Sequence, residues 1–455
     1  MRITFVLTSA LLLGLLGTFL PRLQAQDQPK QGLPQDVLPQ QAYLNDCVQY
    51  ALQHQPIIRQ SLIDQDVADR TVRSALAAWY PQVGAGFGVQ HFLKQPVTIF
   101  PDPATGEAVP RVIGARNTST ASLSVTQSIF SRDLLLANRT ADTYRAQASQ
   151  VTTNNKIDVV VNVSKAFFDV VLTQRQGDIL TEDISRLQRS LQDATNQYKG
   201  GIVDRTDPQR AQIALNNARA QQKQFRDLVG ARYQTLKQLM GYPPNAPLSL
   251  TYDTLQLAND VMLDTLAKVN PQNRIEFQLL QTQGQLLTAN VLYNRWAYLP
   301  TAAAFGNYNL LYQNNAFGQL YDQNFPNSLI GLTVNLPIFQ GGRRIQQLKI
   351  AELQVKRLDW DLAALTSRVD AEYATALANS KWNLANYLAL RENEKLAGDV
   401  YRIINLQYRS GIKNYLDVTI AEADLRTARL NVFNALYAVL TSKLDVQRAL
   451  GVIQF

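Results

Sequence analysis

Two stretches of the chain carry apolar residues at helical spacing for far longer than a compact domain uses. Residues 131–199 contain no proline and one glycine, Gly177; residues 343–410 contain no proline and one glycine, Gly398. Leu358, Leu362, Leu365, Val369 and Tyr373 advance by four, three, four and four residues, the narrow stripe of a helix packed along one seam. At 1.5 Å per residue, roughly 65 residues make a rod about 100 Å long. The other faces are rich in Gln, Asn, Arg and Asp, which suits solvent or a wet lumen. Each long helix is expected to be followed, after a short turn, by a second one, at 207–240 and 417–450.

Ahead of each long helix the period changes to two. In "QVGAGFGVQHF", Val83, Ala85, Phe87 and Val89 share one face, and Gln82, Gly84, Gly86, Gly88 and Gln90 the other. "ASLSVTQSIF" sets Leu123, Val125 and Ile129 against Ser122, Ser124, Thr126 and Ser128; "SLIGLTVNLPIF" sets Ile330, Leu332, Val334, Leu336 and Ile338 against Gly331, Thr333 and Asn335. These runs predict strands at about 82–92, 121–130, 301–312 and 328–339. Phe305 and Tyr308 of the third cannot share a face without a bulge. Alternation over about ten residues fits a membrane-spanning strand, apolar toward lipid and small or polar toward a lumen; a soluble half-buried sheet gives the same pattern. Aromatic residues favour the membrane. Trp79 and Tyr80 precede the first strand, Trp296 and Tyr298 the third, Phe130 ends the second and Phe339 the fourth. In an up-and-down sheet all six fall at the edge that meets the helices, as an interfacial girdle does.

The chain repeats itself. "QYKGGIVDRTD" at 197–207 returns as "QYRSGIKNYLD" at 407–417, a shift of 210 residues (407 − 197). Leu215, Ala218, Arg219 and Gly241 answer Leu425, Ala428, Arg429 and Gly451 at the same shift. The expected organisation is a signal peptide at 1–25, a first repeat at 26–250 and a second at 251–455, with proline-rich "YPPNAPLSLTYDT" between them. Gly201 and Gly411 fit left-handed helix stops, and Asp207, before Pro208, and Asp417 fit N-caps of the following helices.

Four strands cannot close a barrel, and an open sheet edge is not tolerated in lipid. The chain must therefore lend its strands to a barrel shared among copies: two would give eight strands, three twelve. Composition narrows the function further. "MRITFVLTSALLLGLLGTFLPRLQAQ" has the cationic start, apolar middle and small residue (Ala25) of a secretory signal. The single cysteine, Cys47, excludes a disulfide framework; two distant histidines, His54 and His91, do not make a metal site. The formal charge of +8 is scattered, with no basic run for nucleic acid. No phosphate loop, metal triad or nucleophile motif points to an enzyme, and no cofactor is implied.

A signal peptide, a doubled helix–hairpin–long-helix unit, and Tyr-x-x-Gly-x-x-x-x-x-Asp in each half (Tyr198, Gly201, Asp207; Tyr408, Gly411, Asp417) resemble the TolC-like outer-membrane efflux proteins. "LPIFQGGRRIQQLKIA" is similar to the family at the last strand and helix start. The resemblance implies a membrane α+β fold. It implies a homotrimer whose twelve-stranded outer-membrane β-barrel, four strands per chain, continues as a long periplasmic α-helical barrel. It implies a passive duct in the outer membrane of a Gram-negative bacterium, coupled through a periplasmic adaptor to an inner-membrane transporter. The repeated turns would lie at the periplasmic tip. Tyr198, Gly201, Tyr408 and Gly411 would shape the adaptor-docking hairpins, and Tyr408, Lys413, Asp417 and Asp207 the periplasmic gate. This chain departs from some relatives at Lys413, where they carry arginine, and at Ile420, where they carry an acid. A secreted coiled-coil fibre or adhesin would also explain the rods, but not the paired strands or the aromatic edge.

Overall fold

The protein, a computed structural model, is described for residues 41–101, 106–252 and 268–455; the expected signal segment lies outside the described residues. Helices α1 (Leu44–His54) and α2 (Pro56–Leu76) lead into strand β1 (Gln82–His91). A small hairpin, β2 (Val97–Pro101) and β3 (Ala108–Val112), precedes β4 (Asn117–Phe130). Then come α3 (Arg132–Lys199) and α4 (Thr206–Met240). The second half follows a similar order, with one described helix ahead of the strands and no small hairpin between them: α5 (Ile275–Arg295), β5 (Thr301–Asn314), β6 (Asn324–Asn335), α6 (Arg343–Arg409) and α7 (Tyr415–Leu450). Helix α3 has 68 residues and α6 has 67, so each is about 100 Å long. Ser131 caps α3, its side chain accepting from the Asp133 N–H.

The four long strands form one antiparallel sheet in the order β1–β4–β5–β6. The register joins Val83 to Val125, Val125 to Gly306 and Gly306 to Ile330. One face therefore gathers Val83, Phe87, Leu123, Val125, Tyr308, Ile330, Leu332 and Val334. These side chains have no cover: Phe87 is 71% exposed and Ile330 87%. The opposite face is small and polar. Ser122 and Ser124 donate to the carbonyls of Gly86 and Gly84, and a Cβ on Gly86 would lie 2.8 Å from the Ser122 hydroxyl. Phe305 faces this polar side and lies across Gly331, while Tyr308 faces the apolar side. No bulge falls between them; the irregularity is at Ser128–Phe130.

Three expectations need correction. The fourth strand stops at Asn335 rather than 339, because Pro337 has no N–H to continue a ladder. Phe339 therefore lies beyond the strand, fully in the open, and does not end it. The first interstrand connection holds the β2–β3 hairpin, which its proline content concealed. Neither Asp207 nor Asp417 is an N-cap: α4 starts at Thr206, and α7 is capped by Asn414. β4, β5 and β6 lengthen at the far edge, where the Asn117 side chain donates to the Asn314 and Asn315 carbonyls.

The main apolar core sits where α1, the middle of α3, the end of α4 and the second half of α7 converge. It includes Ile58, Val163, Phe167, Val170, Leu236, Met240 and Val439. Cys47 lies inside it, and burial pushes its thiol up to about 12, so it stays protonated. Two glycines close the core symmetrically. Gly241 (φ +69°) ends α4 against the α1–α2 break, where a Cβ would lie 2.7 Å from the His54 carbonyl oxygen. Gly451 (φ +71°) ends α7 against the start of α5, where a Cβ would lie 2.9 Å from the Asn273 carbonyl oxygen. A left-handed residue with a Cβ costs about 1–2 kcal/mol, and here backbone also blocks it. We expect Gly241→Ala to lower the thermal unfolding midpoint in detergent clearly more than Gly201→Ala, whose Cβ would meet nothing. Equal losses would show that the close approach at Gly241 carries no energy.

Candidate functional site

The two turns that reverse the long helices are built alike. In the first, the Gly201 N–H donates to Tyr198 O and the Ile202 N–H to Gln197 O, at 3.0 and 2.9 Å. In the second, Gly411 donates to Tyr408 O and Ile412 to Gln407 O at the same distances. Both are six-residue helix stops that need a left-handed residue, and Gly201 (φ +73°) and Gly411 (φ +75°) supply it. Each turn then presents an isoleucine to solvent, Ile202 at 76% and Ile412 at 72% exposure. These paired apolar points are hidden in sequence by the surrounding polar residues. Tyr198 is exposed beside the first turn.

The carboxylates take up their positions for different reasons. Asp207 sits in the first turn of α4, its N–H bonded to Asp204 O, with Pro208 next to it where no N–H is required. Burial raises the pKa of Asp207; Arg210 opposes this and Asp204 adds to it. At the other tip the Asn414 side chain accepts from the Asp417 N–H at 3.1 Å. The Asp417 carboxylate is then free to meet Lys413, 3.7 Å away on the same hairpin. That pair is exposed and contributes about 0–1 kcal/mol.

The link between the two hairpins is made by Tyr408. Its hydroxyl donates to Gln197 Oε1 at 2.6 Å, and its ring meets Tyr415 edge-on at 5.7 Å. Burial, then the negative charge of Asp207, pushes the Tyr408 phenol up to about 12, so it remains a donor. Tyr415 is buried against Ala194 and Ala211 and shares a 3.0 Å hydrogen bond with Ser190. Of the expected gate residues, Tyr408 and Asp207 thus come together, and Lys413 and Asp417 form a separate pair. Gln197, Ser190 and Tyr415 complete the site. Gln197 could have been found, since it opens the first copy of the repeated motif; Ser190 and Tyr415 carry no sequence signal of their own.

At the sheet edge that meets the helices, Trp79, Tyr80, Trp296 and Tyr298 precede β1 and β5, and Phe130 ends β4. Tyr80 is exposed, and the Arg344 guanidinium lies 4.8 Å over the Tyr298 ring. Among the described residues no helix is long and apolar enough to cross a membrane, and no acid, histidine or cysteine cluster could hold a metal.

Comparison with known proteins agrees with this geometry. The outer membrane protein TolC of Escherichia coli (strain K12) is 24% identical over 434 residues, covering 91% of this chain and 83% of that protein. The outer membrane protein VceC of Vibrio cholerae superposes with a TM-score of 0.69 at 16% identity, covering 90% of this chain and 96% of that one. The open-state MtrE outer membrane channel of Neisseria gonorrhoeae gives 0.68 at 17% identity, covering 90% and 88%. Residues 47–242 and 271–452 match the outer membrane efflux protein family. The chain belongs to that family, and its work is that of an outer-membrane channel for efflux or secretion, a conduit and not an enzyme.

Proposed function

We propose that three copies of the chain close a twelve-stranded barrel, with β6 of each copy pairing with β1 of the next. The observation that carries this is the sheet itself: an uncovered apolar face and two end strands, β1 and β6, each paired on one side only. In lipid such edges must be satisfied, and a cyclic assembly satisfies them all. The helices continue the barrel into the periplasm as a hollow α-helical tube. Cargo moves passively, and an inner-membrane transporter supplies the energy through a periplasmic adaptor. The aromatic residues Trp79, Tyr80, Phe130, Trp296 and Tyr298 sit at the periplasmic interface of the outer membrane, with Phe339 just beyond the strand end.

The repeated turns are the periplasmic tips. Each chain offers two, so a trimer offers six similar ones, and tandem duplication accounts for their likeness. Tyr198 and Gly201, with Tyr408 and Gly411, shape the docking surface, and Ile202 and Ile412 give it apolar anchors. Asp207 and Asp417 line the mouth with negative charge, which draws cations. Tyr408 holds the two hairpins of one chain together, and Lys413–Asp417 stiffens the second.

The purified chain in detergent should have about three times the 50.9 kDa mass of one copy and should conduct in planar bilayers. A single copy with a sealed barrel would overturn the assembly. Tyr408→Phe removes the bond that joins the hairpins, worth about 1 kcal/mol, and should raise single-channel conductance more than Lys413→Ala with Asp417→Ala, whose pair lies within one hairpin. Unchanged conductance in Tyr408→Phe would remove the tyrosine from the gate.

A further inference from the structure

Above the tip, the seam between the two hairpins is polar at a fixed interval. On α3, Gln176, Asp183, Ser190 and Gln197 follow one another at seven-residue spacing. Each reaches across. Gln176 donates to Asn434 at 2.8 Å, Asp183 lies 3.7 Å from Arg429, Ser190 meets Tyr415 and Gln197 meets Tyr408. On α7, Tyr415, Glu422 and Arg429 keep the same spacing. A seven-residue repeat is the signature of a supercoiled seam, usually filled with apolar side chains; a polar residue there fixes register and lowers stability.

The middle rung is ionic and buried. Asp183 is 1% exposed and Glu422 5%. Asp183 pairs with Arg186 on its own helix and with Arg429 on α7. Arg429 in turn lies 3.9 Å from Glu394 of α6. Neither Asp183 oxygen has a well-formed hydrogen bond, nor has Glu422 Oε1. The acids differ in that Asp183 has two arginines within ion-pair distance, whereas Glu422 forms no ion pair among the described residues. The charged or titratable groups around Glu422 are Arg186, Asp183 and Glu182 on α3, Tyr401, Glu394 and Arg409 on α6, and Arg426, Arg429 and Tyr415 on its own helix.

We propose that this cluster is a pH-sensitive latch between the two hairpins, in which Asp183 holds the seam joined and the Glu422 carboxylate works against it. The two acids act in opposite senses because their partners differ. Removing the Asp183 charge leaves two half-buried arginines, Arg186 and Arg429, without their shared carboxylate, which favours parting. Removing the Glu422 charge relieves a buried carboxylate that has no ion-pair partner within reach.

The direction with pH follows from linkage. Burial raises the Glu422 pKa above its ordinary value of 4.5, against the pull of Arg186 and Arg426. In parted hairpins the group meets water and returns toward that value. The joined seam therefore binds the proton more tightly. Its gain is complete below about 4.5 and is lost as pH rises through the joined-state value. Acid tightens the seam, and near-neutral pH leaves it poised to part.

The test places spin labels at Lys199 and Ser410, both exposed beside the two turns. Distances are measured on the assembled protein in detergent from about pH 7.5 to about pH 4.5, spanning the linkage window. An Asp207→Asn background removes the tip carboxylate whose pKa burial also raises. Asp183→Asn should increase the long-distance population by about tenfold or more relative to the short one, the shift that one pKa unit of differential interaction gives. Glu422→Gln should decrease it and abolish its response to pH. If both substitutions shift the distribution the same way, or Glu422→Gln keeps the pH response, there is no latch. If Asp183→Asn does not fold, Glu422→Gln decides alone. The proposal takes its meaning from the duct reading, yet the distances do not depend on conduction. Labels that respond in a protein that never conducts would sink the duct and leave the latch.

Discussion

An unfinished sheet governs the rest of this molecule. Four strands expose an apolar face on one side and a polar one on the other, and the first and last of them each leave one row of backbone groups unpaired. In water the face has no cover, and in lipid the edges have no partners. In the proposed assembly lipid covers the face and neighbouring copies pair the edges. The long helices inherit the consequence. They continue directly from β4 and, after the seven-residue connection 336–342 that holds Pro337, from β6. In the proposed assembly a ring of strands would thereby pass its symmetry to a ring of helices.

Rigidity and looseness are separated along the rods. In the middle of the rods, α3 and α7 are held by aliphatic and aromatic packing, including Phe167, Val170, Leu436 and Val439. Toward the tips the contacts between the two hairpins turn polar: Gln176–Asn434, Asp183–Arg429, Ser190–Tyr415, Gln197–Tyr408. The net gain from each such contact is small, since hydrogen bonds replace bonds to water and desolvation offsets the attraction in the buried Asp183–Arg429 pair. A seam of this kind specifies an alignment without committing to it, which is what a mouth opened by a partner requires.

Much of this was written plainly in the chain. The rods were legible because proline is missing and glycine nearly so over each of them, and the strands because Val83 to Val89 and Ile330 to Val334 alternate strictly. The glycine stops were legible because a left-handed turn leaves few residue choices. What escaped notice depended on neighbours. The role of Asn414 as the α7 cap displaced Asp417, because an asparagine three residues ahead reaches the same N–H. Pro337 cut β6 short where alternation alone ran on to Phe339. The β2–β3 hairpin hid among prolines that edge strands tolerate. The polar ladder on α3 read as a solvated face, for Gln, Ser and Asp at sevens look like surface until a second helix is laid against them.

The most direct measurement is amide hydrogen exchange on the outer edge of β1 in the assembled protein, at the N–H groups that point away from β4. If neighbouring copies complete the barrel, these amides are as protected as those of the central strands β4 and β5. Rapid exchange along that edge, with β4 and β5 protected, would mean that the sheet ends where one chain ends, and the shared barrel would be wrong.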